Sequence, residues 1–502
     1  MPVTPPTDHA RTTPPALDRS LGLVALVATG LCSMIGAGVH IVPIMLQRSV
    51  PGIGQWVLVA FGIAAVPAVL AGLAYAILGS AMPVAGGSYV YASRGLSPYL
   101  GFVASVSQWF GLSIAIGVVS YVLVPFLRDA AAPAGLTGLA AALDRAPVHL
   151  AVSLATIALF TWVNMLGLRA YERTIVPLII ATLVLGALVI IGGFGHDQAT
   201  FAAVAAERDA RPMPPLDPAP FDARTLASAA AVLFSSFIGF DAIAQAGGEA
   251  RDPGRNIPRA ILLAIAIAGA FYLAFTAAVH HTVPWQYIAR EARTRDLTAT
   301  GLLGYVLTPG WTIAIAAGAA LALAKDLPSM ILSVSRLMFA WAEDGIAPRA
   351  LAEVHPRRRT PTRAILASAS VAAGGVLGSH FAGDFFLGID ILVLSMLVNF
   401  LLMCLAVLAL PSRNPRLAAR VTVLPSRGAQ VPVALLGVVV IGAFLVVHVA
   451  RDLGSDRAWW LRSTPTWLAV MAVATLAYVR EMRALRRAGV DVAARFAVLP
   501  SA

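Results

Sequence analysis

The chain has 502 residues, of which 59% are hydrophobic and 12% charged, and its mean hydropathy is +0.81. That composition excludes a soluble globular domain and reads as an all-α, polytopic membrane protein. The formal net charge of +11 is a matter of membrane topology rather than nucleic acid, and the two cysteines, Cys32 and Cys404, lie inside apolar runs, which excludes a disulfide framework and any metal-ligand spacing.

In chain order, residues 1–20 form a polar tail rich in Pro and Thr, with Arg11 and Arg19. The apolar run that follows is too long for the core of a secretory signal peptide. Twelve apolar spans are predicted: 21–46, 53–78, 98–127, 148–168, 174–195, 225–247, 258–281, 299–341 (its core from Trp311), 363–380, 386–410, 430–449 and 463–480. Each approaches or exceeds the roughly 20 residues that cross a bilayer. With the N-terminus inside, 22 arginines fall in the inner loops and tails against 10 acids, and 12 against 12 acids in the outer loops, leaving Arg336 out of both groups. Basic residues near span ends mark the inner side, so both termini are expected inside the cytoplasmic membrane. The tail holding Arg483, Arg486 and Arg487 reads as a patch for the anionic inner leaflet. The outer stretch 196–224 is proline-rich between Arg211 and Phe221 and has no predicted fold.

The stretch around which the rest is organised is Ser33-Met34-Ile35-Gly36-Ala37-Gly38, in the middle of the first span. Each glycine costs a helix about 1 kcal/mol against alanine. Unwound backbone at membrane depth is tolerated only where it lines a cavity. The half-helix after a break offers its N-terminus to an anion, and freed carbonyls suit a cation. An amino acid carries both charges. Close packing through small residues is the plainer reading of Gly36 and Gly38. The sixth span repeats the theme, with Gly239 and Asp241 at its centre in Ser235-Ser236-Phe237-Ile238-Gly239-Phe240-Asp241. An intramembrane acid is functional by default; the alternative is a carboxylate paired structurally with a helix end. Spans one and six each open a set of five, and an odd number inverts the second set. The predicted organisation is a cytoplasmic tail (1–20), a first five-helix repeat (21–195), an extracytoplasmic connector (196–224), a second five-helix repeat (225–410), two accessory helices (411–480) and a basic cytoplasmic tail (481–502).

On these residues the chain resembles an amino-acid permease of the amino acid–polyamine–organocation (APC) superfamily. Ser33-Met-Ile-Gly-Ala-Gly-Val is similar to the family's first-helix motif, and Ala81-Met-Pro-Val-Ala-Gly-Gly-Ser-Tyr-Val-Tyr to its signature after the second helix. Phe237-Ile-Gly-Phe-Asp with Gly248-Glu-Ala-Arg-Asp-Pro-Gly, and Ser335-Arg336 with Ala342-Glu-Asp-Gly, match its sixth and eighth helices. The resemblance implies a LeuT-type fold, with 12 transmembrane helices as a 5+5 inverted repeat plus two, and alternating access around a midplane site. It implies that amides at Gly36, Ala37 and Gly38 hold a substrate carboxylate, and that carbonyls near Met34, Ser235 and Ile238 hold the ammonium. Ile35, Gly239, Phe240 and Asp241 complete the candidate substrate contacts. Ser235 stands near where related exchangers have a gating aromatic, and His40 where the family usually has an aromatic.

Of 36 basic residues, 35 are arginine; the one lysine is Lys325, deep in the eighth span beside Asp326. It is about 20 Å or more from either end at 1.5 Å per residue, too far to snorkel, so it must face the bundle interior. A desolvated lysine can release its proton, which arginine cannot. In sodium-coupled members of the fold the eighth helix feeds a cation near the first-helix break. In some proton-coupled relatives a lysine of the fifth helix takes that place, and the fifth span here has none. The coupling reading is that the Lys325 ammonium replaces sodium and titrates. The static reading is an ion pair, with Asp326, Asp241 or Asp390 in view; Lys325 and Asp326 are expected to point about 100° apart and not to share one spot. Gln108, Trp109 and Asn399 are further pathway candidates, with core packing as their alternative.

Neither a phosphate-cradling GxxxxGK[ST] nor HExxH occurs, so an ATP motor and a zinc peptidase lack support. The sequence therefore reads as a non-enzymatic secondary transporter of an amino acid or related amine. Its expected partners are that small molecule, protons and the bilayer, without cofactor, metal or nucleic acid. An exchanger without proton coupling and a non-transporting nutrient sensor are the alternatives.

Overall fold

With no water at membrane depth, each spanning segment must pair its own backbone groups, and helices do so within one segment. The computed structural model describes residues 17, 19–36, 38–131, 134–295, 297–382 and 386–500, and their regular elements are all helical. Eleven helices among them are long and apolar enough to cross a membrane. The twelfth predicted span falls on Ser463–Arg487, whose threonines and terminal arginines dilute its hydropathy, although Leu468, Val473 and Leu476 still project outward as a lipid-facing stripe would.

The first span is two helices, Leu23–Met34 and Gly38–Ser49, joined by non-helical backbone at Ile35 and Gly36. Ala37 lies outside the described residues. The sixth span begins as Ala223–Leu233, tightens to a 3-10 turn over Phe234–Phe237, becomes extended at Ile238 and resumes at Ala242–Gln245. The seventh span, Pro253–Thr282, packs on both the first half of span one and the second span, Val57–Ala81. The third span, Pro98–Ala131, packs on the ninth, Thr362–Ala382, and the tenth, Phe386–Arg413.

The eighth span is the innermost: 83% of its most apolar window is buried, against 22% for Ala146–Leu166 and for Arg427–Leu453. Lys325 is therefore surrounded by protein rather than lipid. The span is itself interrupted at that residue, between Pro309–Ala324 and Asp326–Glu343. Pro328 has no N–H to give the Ala324 carbonyl, which opens the hydrogen-bond ladder there. Residues 299–303, predicted as part of this span, form a separate short helix, Ala299–Leu303.

The connector 196–224 is not wholly without structure. Gln198–Asp209 is a 12-residue helix, started by the Asp197 side chain accepting the Thr200 N–H at 2.8 Å. Phe201 and Ala205, one turn apart, bury its inner face, with the Phe201 ring 5.0 Å from that of Tyr287. The prolines beyond Arg211 masked this cap and stripe in the sequence reading.

Candidate functional site

The two breaks touch. Gly239 has φ +134, and a Cβ there would stand 2.5 Å from the Ser33 carbonyl carbon. Only glycine lets the sixth-span backbone lie this close on the first. The Tyr272 hydroxyl, from the seventh span, sits between the two, 2.5 Å from the Met34 carbonyl oxygen and 2.8 Å from that of Ser236. Sequence reasoning missed this tyrosine; its signal was a polar aromatic at the centre of an otherwise apolar span.

Lys325 reaches the first break from the eighth span. Its Nζ donates to the Cys32 carbonyl at 3.1 Å, to the Ile35 carbonyl, and to Asp326 Oδ1 at 2.8 Å, and its side chain is fully buried. The expectation that Lys325 and Asp326 cannot share one spot is corrected by this ion pair. Their Cα directions do diverge, but the four-carbon lysine stem swings back across the turn to meet the carboxylate. The other Asp326 oxygen lies against Gly36, where any side chain would collide with it. The alternative partners are engaged elsewhere: Asp241 accepts from Gln108 Nε2, and Asp390 is 2.7 Å from Arg451 Nη2.

Asp241 joins a second polar cluster, fully buried. Gln108 Oε1 accepts from Ser88 Oγ at 2.5 Å and from Gln245 Nε2 at 3.0 Å, and Asn399 Nδ2 donates to the Tyr75 hydroxyl at 2.6 Å. Gln108 thus hydrogen-bonds to the sixth span from within the core. Phe240 stacks on Phe400 with centroids 5.0 Å apart, beside this cluster. Trp109 meets the edge of Trp341 at 5.7 Å, and His40 lies against Phe275 at 4.7 Å.

A cavity of about 500 Å³ opens beside the breaks, within the range of small-molecule sites. Gly38, Ser235 and Asp326 line it at one end and Arg48, Asp390 and Arg451 at the other. Gly38 and Arg48 are ten residues apart on one helix, so it runs about 15 Å along the bundle. His40, Gln108, Trp109 and Asn399 do not line it. The opposite end of the bundle is cross-linked. Leu21 and Ala250 form a backbone bridge, Arg336 donates to both oxygens of Glu249, and Arg94 to both oxygens of Asp344. Among the described residues no group of three or more His, Cys, Asp or Glu side chains is arranged to hold a metal.

Membrane-crossing helices around the discontinuous first and sixth spans, with a largely apolar cavity that carries a few charged groups and opens to one end, are the architecture of a membrane transporter. The family model described as "Amino acid permease" matches residues 21–473, and the chain belongs to that family. An uncharacterized transporter of Mycobacterium tuberculosis is 31% identical over 366 residues, covering 72% of this chain and 74% of its own length. A methylthioribose transporter of Bacillus subtilis is 25% identical over 478 residues, 92% and 93% of the two chains. A branched-chain amino acid permease of the same organism is 25% identical over 417 residues, 80% and 83%.

Proposed function

We propose that the chain is a secondary transporter that moves an amino acid or related amine across the cytoplasmic membrane by alternating access, coupled to protons, with both termini inside. In this reading residues 21–195 and 225–410 are the two inverted repeats of a LeuT-type fold. The substrate carboxylate sits on the amides of Gly36, Ala37 and Gly38. Ile35, Ser235, Ile238, Gly239, Phe240 and Asp241 complete its surroundings. The Met34 carbonyl accepts both the Tyr272 hydroxyl and the Gly36 N–H, so binding must release the Gly36 amide from it, which frees that N–H for the carboxylate and one Met34 lone pair for the ammonium.

One observation carries the coupling assignment: the Lys325 ammonium rests on carbonyls of the first-span break and pairs with Asp326 beside Gly36. It supplies a positive charge where a sodium ion would otherwise be held by oxygens. Unlike sodium it can be discharged, by passing its proton to Asp326 or to water. Asp326 lines the cavity while Lys325 does not, so the carboxylate is the group nearer the substrate path. The Lys325–Asp326 contact also favours a second reading, in which the pair stays ionised and the protein is an exchanger.

The test is uptake of a panel of labelled amino acids and polyamines into proteoliposomes, with and without an inward proton gradient, for wild type and Lys325→Ala. Gradient-driven accumulation that the substitution abolishes supports proton symport. Uptake that needs preloaded substrate and ignores the gradient identifies an exchanger. Absence of transport for every panel member favours a sensor of the same fold.

A further inference from the structure

The end of the chain folds back onto the closed end of the bundle. Val492–Ala497 is a six-residue helix started by Asp491, whose side chain accepts the Ala494 N–H at 3.0 Å. A helix this short is not stable alone in water, so its order comes from what it lies on. Phe496 is 5% exposed, with its ring 4.9 Å from the Arg94 guanidinium carbon. The Val498 carbonyl accepts from Arg94 Nε at 3.1 Å, and the Ala497 carbonyl from Asn414 Nδ2 at 3.0 Å. The same Arg94 donates to Asp344 at 2.5 and 2.9 Å. One guanidinium thus ties three pieces together: the helix Gly87–Gly95 that carries it, the C-terminal end of the eighth span, and the tail. Asn414, just past the tenth span, adds a fourth.

We propose that residues 491–499 are a latch, which holds shut the end of the bundle opposite the cavity and must lift before that end opens. The tail also reaches the end of the eighth span, where Arg495 Nη1 lies 3.4 Å from the position a Cβ would take on Gly345. Any opening that parts that span from Gly87–Gly95 therefore breaks the Arg94–Asp344 pair and pulls the tail off one of the two elements it bridges. The tail's contacts are therefore lost in series with opening, and each one favours the closed state. The ring also keeps water from a buried ion pair, which would otherwise compete for the guanidinium. A cation–π contact of this kind moves a closing equilibrium by a factor of roughly 2 to 30. The proposal rests on alternating access as described above.

Three proteins test it: the full chain, a variant ending at Gly489, and Phe496→Ala. Each is reconstituted for uptake of the amino-acid panel, and amide hydrogen exchange is measured on the same preparations in detergent. Both variants are expected to raise the maximal uptake rate severalfold at unchanged KM and to speed exchange over residues 87–95 and 340–346. A synthetic peptide of residues 489–500, added on the tail's side, is expected to reverse both effects in the shortened variant. Unchanged exchange in both variants overturns the docking, whatever the transport result. Faster exchange with unchanged or slower uptake overturns the latch and leaves the tail a passive support. If none of the three proteins transports, the transport reading fails by itself, and exchange with peptide reversal still decides whether the tail holds that end.

Discussion

Gly239→Ala is the sharpest perturbation of the site. At φ +134 a non-glycine residue is strained by about 1–3 kcal/mol. The new methyl would also stand 2.5 Å from the Ser33 carbonyl carbon and oxygen and 2.9 Å from the Met34 nitrogen. These are backbone atoms of the first-span break, held in turn by Tyr272 and Lys325, so nothing flexible is available to yield. Overpacking of this kind costs about another 1–3 kcal/mol. Together they amount to roughly 2–6 kcal/mol, at least about a 30-fold change in whatever equilibrium absorbs the strain. Substrate binding by scintillation proximity and thermal unfolding in detergent would be followed on the same preparation. Affinity is expected to fall by that factor if the two breaks move apart, or the melting temperature to drop if they do not. Gly374→Ala serves as the control, since no atom lies within 4 Å of the added methyl. Wild-type melting and affinity for Gly239→Ala would refute the claim that the two breaks are locked by backbone contact.

Tyr272→Phe removes the one hydroxyl bridging both breaks and leaves at least one buried carbonyl short of a donor, a loss of about 1–3 kcal/mol in unfolding free energy; denaturant-dependent fluorescence measures it. Arg336→Leu strands the fully buried Glu249 carboxylate and should cost about 3–5 kcal/mol, whereas Arg336→Leu combined with Glu249→Leu should recover much of it; a double variant no more stable than the single one would show the pair is not the cause. Outside the membrane, the side-chain and backbone hydrogen bonds from Thr225 hold the Asp222 carboxyl below its usual range. Its stabilisation of the sixth-span start is therefore complete above the ordinary aspartate value of 3.8 and is lost as pH falls through the depressed one. Melting of Asp222→Ala and wild type should differ by a constant amount near neutral pH and converge in strong acid.

Much of the fold was legible because the bilayer leaves few options: long apolar runs become helices, and the glycines set among polar neighbours at Gly36 and Gly239 mark the breaks. Gly36, Gly38, Gly239 and the solitary Lys325 stood out for residue type alone. What could not be read were meetings between distant elements. Lys325 and Asp326 are neighbours whose pairing depends on side-chain length and on the interruption that Pro328 opens. Tyr272, Gln108 and Asn399 gain their roles from partners on other helices, at Met34, Asp241 and Tyr75, each more than a hundred residues away. Asp390 and Arg451 come together at the mouth of the cavity because the tenth and eleventh spans pack side by side. The tail's docking rests on one phenylalanine and two carbonyls, a pattern too sparse to register in sequence. The 12-residue helix after Asp197 was hidden by the prolines that follow it.

The single lysine has a practical consequence. A lysine-specific endoproteinase has one bond to cut in the whole chain, Lys325–Asp326, and that bond lies at the centre of the most buried span. Cleavage therefore reports global opening and yields two fragments of 325 and 177 residues, a clean gel assay of unfolding. Amine-selective acylation is equally narrow, with Lys325 the sole side-chain target. The unmodified protein thus carries its own chemical reporter at the spot where the first and eighth spans meet.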